Sequence, residues 1–253
     1  MSKRLLPLLS LAGTLSITTL PSMAQNQNLS PLQVKLIGTD KALQFEQPAR
    51  LEQVLLLAQE QQVILQYPLA TTLFDTSDSA KQKTTALKNS VLNQMIQYNL
   101  VAHPLYKFIQ ESQFAPRVLS SLDIDKVRLN KRENPLLNGQ FALSTPPRED
   151  KVLYLGNIGK IFAVSNQAGI SLYEQLNNLQ QSEIGELSHP PILIYPDGNV
   201  SQPQFGSWFT EKYYLPPLTL VYVPFEEFER SKIDQDIVKL LAQRKLTSAK
   251  NKK

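Results

Sequence analysis

Two carboxylates, Asp123 and Asp125, stand two residues apart in Leu122-Asp123-Ile124-Asp125. In an extended chain they share a side. Glycoside cleavage needs two carboxyls facing each other across a cleft, about 5–10 Å apart. The competing role for such a pair is to shape a turn before a strand through Asx hydrogen bonds. Arg117 lies just upstream, after Pro116. A guanidinium there can hold the carboxylate of an acidic sugar or of a protein partner in a forked pair. Its structural alternative is a salt bridge to Asp123 or Asp125. Arg128 alternates with Val127 and Leu129, as on the solvent face of a strand. Trp208, Tyr213 and Tyr214 offer flat faces that can stack on a sugar, with core or interface packing as the competing use.

The rest of the chemical inventory is sparse. His103 and His189 are the only histidines, and each precedes a proline. That position favours extended backbone, so both belong at loop positions, and neither has the His or carboxylate companions of a zinc site. No Gly-x-Ser-x-Gly elbow and no glycine-rich phosphate loop occur among the nine glycines. With no cysteine, disulfides, thiol catalysis and cysteine–metal sites are excluded. The expectation is a protein without metal or cofactor, and not an enzyme.

The chain opens with Lys3 and Arg4, an apolar stretch from Leu5 to Leu20, and Ser22-Met23-Ala24. That order of charge, apolar core and small residues is that of a secretory signal peptide, with cleavage expected after Ala24. As a membrane anchor the stretch is short and diluted by Ser and Thr. No later segment is apolar enough to span a bilayer. Cleavage would leave 229 of the 253 residues and lower the formal charge from +4 to +2. Arg244, Lys245, Lys250, Lys252 and Lys253 then leave a body of −3 without them. The basic pI is an effect of the tail and points to no nucleic-acid surface. Such a tail is solvated, or touches acidic lipid or polysaccharide.

Periodicity predicts mixed α and β structure. A strand over Val34–Ile37, a partner over Ala42–Phe45, a helix from Leu51 to Gln62 and a strand over Val63–Gln66 form one unit. Val152–Leu155, Ile161–Val164, a helix capped by Ser171 and running to about Gln181, Ile192–Tyr195 and Leu218–Val223 form another. The two overlay. Gln33–Gly38 matches Lys151–Gly156, and Arg50–Leu55 matches Ser171–Leu176, as an internal duplication would. Hairpin, then helix, then further strands is the order of a β-grasp. Two segments stand outside this repeat. Ser79–Gln113 carries a helical stripe (Leu87, Val91, Met95, Tyr98) that Pro104 breaks before a second short helix, and packing on its own domain is expected. Glu227 to about Lys245 reads as an amphipathic helix, with Ile233, Ile237, Leu240 and Leu241 on its apolar face and Asp234, Gln235, Asp236 and Lys239 away from it. Such a face buries against its own domain, a partner or a membrane interface.

The most distinctive text is Asp123-Ile124-Asp125-Lys126-Val127-Arg128, followed by Asn134-Pro135-Leu136-Leu137-Asn138-Gly139-Gln140-Phe141-Ala142-Leu143. With Tyr195-Pro196-Asp197-Gly198, the later Trp208, Leu220-Val221-Tyr222-Val223-Pro224-Phe225 and Asp234-Gln235-Asp236-Ile237, it resembles the GfcC family of capsule biosynthesis proteins over nearly the whole chain. The resemblance implies a periplasmic protein that accompanies capsule or exopolysaccharide export. It implies an α+β fold of two tandem β-grasp domains, similar to those of outer-membrane polysaccharide export proteins. A helical hairpin is inserted in the first domain and an amphipathic helix follows the second. Family members carry an arginine near the place of Arg117, and no catalytic chemistry is established for them. The expected layout is a signal peptide over 1–24, a first domain over 31–149 with its insertion at about 79–113, a second domain over 150–226, a helix over 227–246 and a basic tail over 247–253. The expected activity is binding of polysaccharide or of the export protein, through Arg117, Asp123, Asp125 and Trp208. The apolar face of the last helix is the expected contact for a partner or membrane. The alternatives are a glycoside hydrolase-like enzyme using Asp123 and Asp125, and a structural adaptor docked to the export channel.

Overall fold

The structure is a computed structural model that describes residues 31–166, 169–180, 184–203 and 212–246. The expected signal peptide, Trp208 and the basic tail lie outside the described residues.

The first unit begins with strand β1 (Leu32–Leu36), whose residues alternate buried and exposed. That alternation belongs to a sheet packed on one face. β1 pairs antiparallel with β2 (Ala42–Phe45). A two-residue strand, β3 (Ala49–Arg50), leads into helix α1 (Leu51–Glu60), where Gln53 reaches back to the Arg50 amide as half of a capping box. α1 buries Leu51, Val54, Leu55 and Ala58. The chain continues through β4 (Thr72–Asp75), α2 (Asp78–Gln97), α3 (Pro104–Glu111), β5 (Arg117–Leu119), α4 (Ile124–Leu129), β6 (Leu136–Leu137) and β7 (Gly139–Ser144). The sheet order is β2-β1-β7-β4-β5, with β7 parallel to β1 and antiparallel to β4.

The second unit repeats the scheme with β8 (Lys151–Gly156), β9 (Phe162–Ser165), α5 (Leu172–Leu179), β10 (Ile192–Ile194), β11 (Val200–Ser201) and β12 (Leu220–Val223). Its sheet order is β11-β10-β12-β8-β9, with β12 parallel to β8. In both units an antiparallel hairpin precedes a helix, and the last strand lies in the sheet beside the first. The overlay of Arg50 on Ser171 places both residues at helix N-caps, and Ser171 forms a capping box with Glu174. Gly38 and Gly156 both take positive φ at the end of their strands. At Gly156 a β-carbon would also overlap the Val223 carbonyl of the parallel neighbour, so only glycine fits.

Several expectations are corrected. Val63–Gln66 is not a strand. Val63 and Leu65 pack on the first core from an irregular segment, and the strand is Thr72–Asp75. Ile124–Leu129 is helical, so Arg128 does not lie on a strand; its guanidinium pairs with Glu52 at 3.4 Å. The apolar stripe of the helical hairpin α2–α3 does not join its own unit's core. Val91, Met95, Leu105 and Ile109 join one core with Ile192, Leu220 and Tyr222 of the second sheet.

The final helix, α6 (Lys232–Leu241), completes that core. Ile233, Ile237, Leu240 and Leu241 are buried against α2, α3 and the second sheet. They are therefore not free to face a partner or a membrane: the hairpin has taken the apolar face. Asp234, expected on the polar side, is fully buried. It accepts hydrogen bonds from the Tyr222 and Ser231 hydroxyls, from the Phe225 amide at 2.9 Å and from the Glu226 amide at 3.2 Å. A buried carboxylate is tolerated when its lone pairs are filled in this way.

With α5 on one face and α2, α3 and α6 on the other, the second sheet is buried on both sides. This explains why β10 and β12 are buried at every position. Among the described residues no helix is long and apolar enough to cross a membrane.

Truncating α6 in this core should be expensive. Ile237→Ala is expected to lower unfolding stability by about 2–5 kcal/mol in urea titrations. A loss under about 0.5 kcal/mol would mean that the helix is not docked.

Candidate functional site

Arg117 opens β5 at the edge of the first sheet, and its side chain crosses to the second unit. Nε donates to the Ala242 carbonyl at 2.6 Å. Nη1 donates to Thr72 Oγ1 and to the Pro196 carbonyl, both at 2.9 Å. Nη2 donates to the Arg244 carbonyl at 3.3 Å. The guanidinium also lies over the Phe74 ring, 5.2 Å from its centroid. Burial lowers its pKa to about 10; nearby Asp197 opposes that shift and Arg244 adds to it. It stays charged at neutral pH.

Arg117 is thus an inter-unit clamp. Neither Asp123 nor Asp125 is among its hydrogen-bond partners, and the fork expected for a ligand is closed on protein carbonyls. Gly198, in the β10–β11 turn, makes room for it. A β-carbon there would fall 2.6 Å from Arg117 Cδ, and Gly198 takes φ +89°, a conformation suited to glycine.

Other bonds run along the same joint. Just past α6 the chain returns to the first unit. The Ala115 amide donates to the Gln243 carbonyl at 3.0 Å, and the Lys245 amide to the Gln113 carbonyl at 2.9 Å. Ser144 Oγ donates to the Leu246 carbonyl at 2.7 Å. Tyr67 donates to the Pro217 carbonyl at 3.2 Å, and Ser121 to Asp197 at 3.3 Å.

The carboxylate pair does not form a catalytic couple. Asp123 is the N-cap of α4 and accepts from the amides of Asp125 at 2.9 Å and Lys126 at 3.4 Å. Asp125 is exposed in the first turn of that helix. The Asx role weighed from the sequence is what Asp123 performs, at a helix start and not before a strand.

His103 is the N-cap of α3, with Nδ1 accepting from the Leu105 amide at 3.2 Å and its ring edge-on to Phe225. Burial lowers its pKa against a hydrogen bond to the Ile158 backbone, so the imidazole is held neutral. His189 lines an open cavity of about 600 Å³ with Glu227 and Glu229. Among the described residues no three His, Asp or Glu side chains converge as metal ligands.

Sequence reasoning missed a cleft beside the joint. A cavity of about 360 Å³ is lined by Arg148, Asp150, Asn166, Tyr214 and Leu215 together with backbone at Gly169 and Pro217. Arg148 and Asp150 belong to the inter-unit linker and pair at 3.5 Å, both well exposed. Tyr214 is 52% exposed. Tyr67, from the first unit, feels the charges of Arg148 and Asp150 and is pushed up to about 12, chiefly by burial. A flat aromatic face beside planar polar groups is the composition that recognises a sugar ring. Tyr214 was weighed as part of such a platform. Its partners 48 and 64 residues upstream carried no local signal.

Comparison with known proteins places the chain in a family. The family descriptions Capsule biosynthesis GfcC, N-terminal and Capsule biosynthesis GfcC C-terminal match residues 30–148 and 160–245. The chain belongs to the GfcC family. Membership ties it to capsule biosynthesis. The boundary between the two matches, 149–159, falls on the end of the linker and β8, where one unit gives way to the next. No curated protein matches the chain.

In this GfcC-family protein Arg117→Met should cost about 2–4 kcal/mol, because buried carbonyls lose their donor. Arg117→Lys should recover little, since a point charge cannot serve acceptors spread around a planar fork. Urea unfolding of both variants checks this. Wild-type stability in Arg117→Met would remove the clamp and return the guanidinium to ligand binding.

Proposed function

We propose that this protein is a periplasmic, non-enzymatic accessory of capsule or exopolysaccharide assembly, and that it binds the polymer beside the joint between two β-grasp units, in the cleft lined by Tyr214. Family membership supports the pathway. The shared strand orders, with a parallel pair formed by first and last strands, support reading each unit as a β-grasp. The apolar sequence between Lys3-Arg4 and Ala24 supports export.

The observation that carries the binding reading is the Tyr214 cleft. Its exposed ring can stack on the apolar face of a sugar, while Arg148 and Asp150 offer planar donors and acceptors at its edge. The cleft is open, as a polymer passing through it requires. Hydrolysis is disfavoured by the use of Asp123 as a helix cap and by the solvated position of Asp125.

A second reading, docking to an outer-membrane polysaccharide export protein, is favoured by one feature. Ile96, Tyr98 and Val101 are about half exposed where α2 gives way to α3. Exposed apolar groups in a cluster suit a protein contact.

Purified capsular polymer titrated onto the mature chain distinguishes the two. Saturable binding that weakens about tenfold in Tyr214→Ala, with unchanged unfolding stability, is the expected result, consistent with the usual worth of one stacked aromatic. No affinity for polymer, together with capture of the export protein that Tyr98→Ser abolishes, would replace sugar binding by the adaptor role.

A further inference from the structure

Another cavity, of about 290 Å³, opens beside the C-terminal segment. Phe108, Glu111, Ser112, Gln113, Arg244 and Lys245 line it. Its charges do not balance. The end of α3 is already neutralised, because Lys88 Nζ binds the carbonyls of Gln110 at 2.7 Å and Ser112 at 2.9 Å. Glu111 leans toward Lys107, 3.8 Å away. Arg244 therefore has no acidic partner among the described residues. Its guanidinium lies over the Phe108 ring at 5.3 Å, and its Nε is buried without a hydrogen bond. Burial alone lowers its pKa to about 10, so the charge persists. Next to it, Lys245 is burdened by its own burial and by the like charges of Lys35 and Lys81.

A desolvated guanidinium lacking an acceptor is costly to the fold. The same group is prepared for an anion: a carboxylate or phosphate in the pocket can take its terminal N–H groups as a bidentate pair. Lys245 adds a second cation at the rim. The volume is at the small end for ligand pockets and suits a single sugar unit.

We propose that this pocket binds the carboxylate or phosphate group of an anionic polysaccharide, with Arg244 as the buried anchor and Lys245 at its mouth. The identity of the polymer rests on the function proposed above, whereas the anion site stands on its own geometry. The two sites would hold different parts of one chain, a ring face at Tyr214 and a charge at Arg244.

The test is an NMR titration of the full mature chain, following arginine Nε–H signals at constant ionic strength. Sodium glucuronate and inorganic phosphate are the probes and glucose is the neutral control. A saturable shift of the Arg244 signal is expected with an anionic probe and not with glucose. Response to glucuronate alone identifies a carboxylate sugar, response to phosphate alone a phosphorylated unit, and response to both the shared chemistry. Anion affinity should fall at least tenfold in Lys245→Gln, which leaves the buried anchor in place. Arg244→Met should keep the fold and abolish anion binding. No response to either anion overturns the site, as does unchanged affinity in Lys245→Gln. Polymer that loses affinity in Tyr214→Ala but binds Arg244→Met as well as wild type removes this inference and leaves the proposed function intact. Absence of any polymer binding with a normal glucuronate response does the reverse.

Discussion

Everything distinctive about this molecule depends on one cation lying between two units that each have a core of their own. The guanidinium of Arg117 reaches four acceptors on three stretches of chain: Thr72 in its own sheet, Pro196 in the β10–β11 turn, and Ala242 and Arg244 after α6. A planar fork can do this and a lysine cannot. Because those acceptors belong to both units, the bond set fixes an angle between them. The exchange of helices works the same way. The first unit lends α2 and α3 to cover the second sheet, and the second unit returns its last residues to the first. Neither unit can leave without exposing apolar surface that only the other covers.

The parts legible in the sequence are those whose signal is local. The alternation of β1, the stripe of α1, the Ser171 cap and the break at Pro104 each follow from a few neighbouring residues, and each lies within a few positions of its expected place. The overlay of Gln33–Gly38 on Lys151–Gly156 was legible for the same reason, since glycine at positive φ ends both strands. The apolar runs Ile192–Ile194 and Leu220–Val223 were read as strands, but their lack of alternation also announced a second covering layer. That layer was visible as two amphipathic segments without a partner. Each was given a separate destination, and the structure gives them to each other and to the second sheet.

What was not legible depends on contacts between distant residues. Asp234 sits on a helix whose pattern places it with the polar residues, yet four donors from the Tyr222–Ser231 stretch draw it inside. Thr72–Asp75 is too short and mixed to announce a strand, and it becomes one because β7 and β5 flank it. Arg117 draws attention by its type and place, but three of its four partners are carbonyls, which every residue carries and no sequence motif marks. The Asp123 pair drew attention through its type and spacing, and its use is a helix cap.

A capsule-biosynthesis family, two like units and a joint held by hydrogen bonds thus come together in one chain. The Arg117 bonds and the exchanged helices require the two units to form a single body. Differential scanning calorimetry of the mature protein tests this most directly. The account predicts one transition, with calorimetric and van't Hoff enthalpies equal. Two resolved transitions, one for each unit, would contradict it.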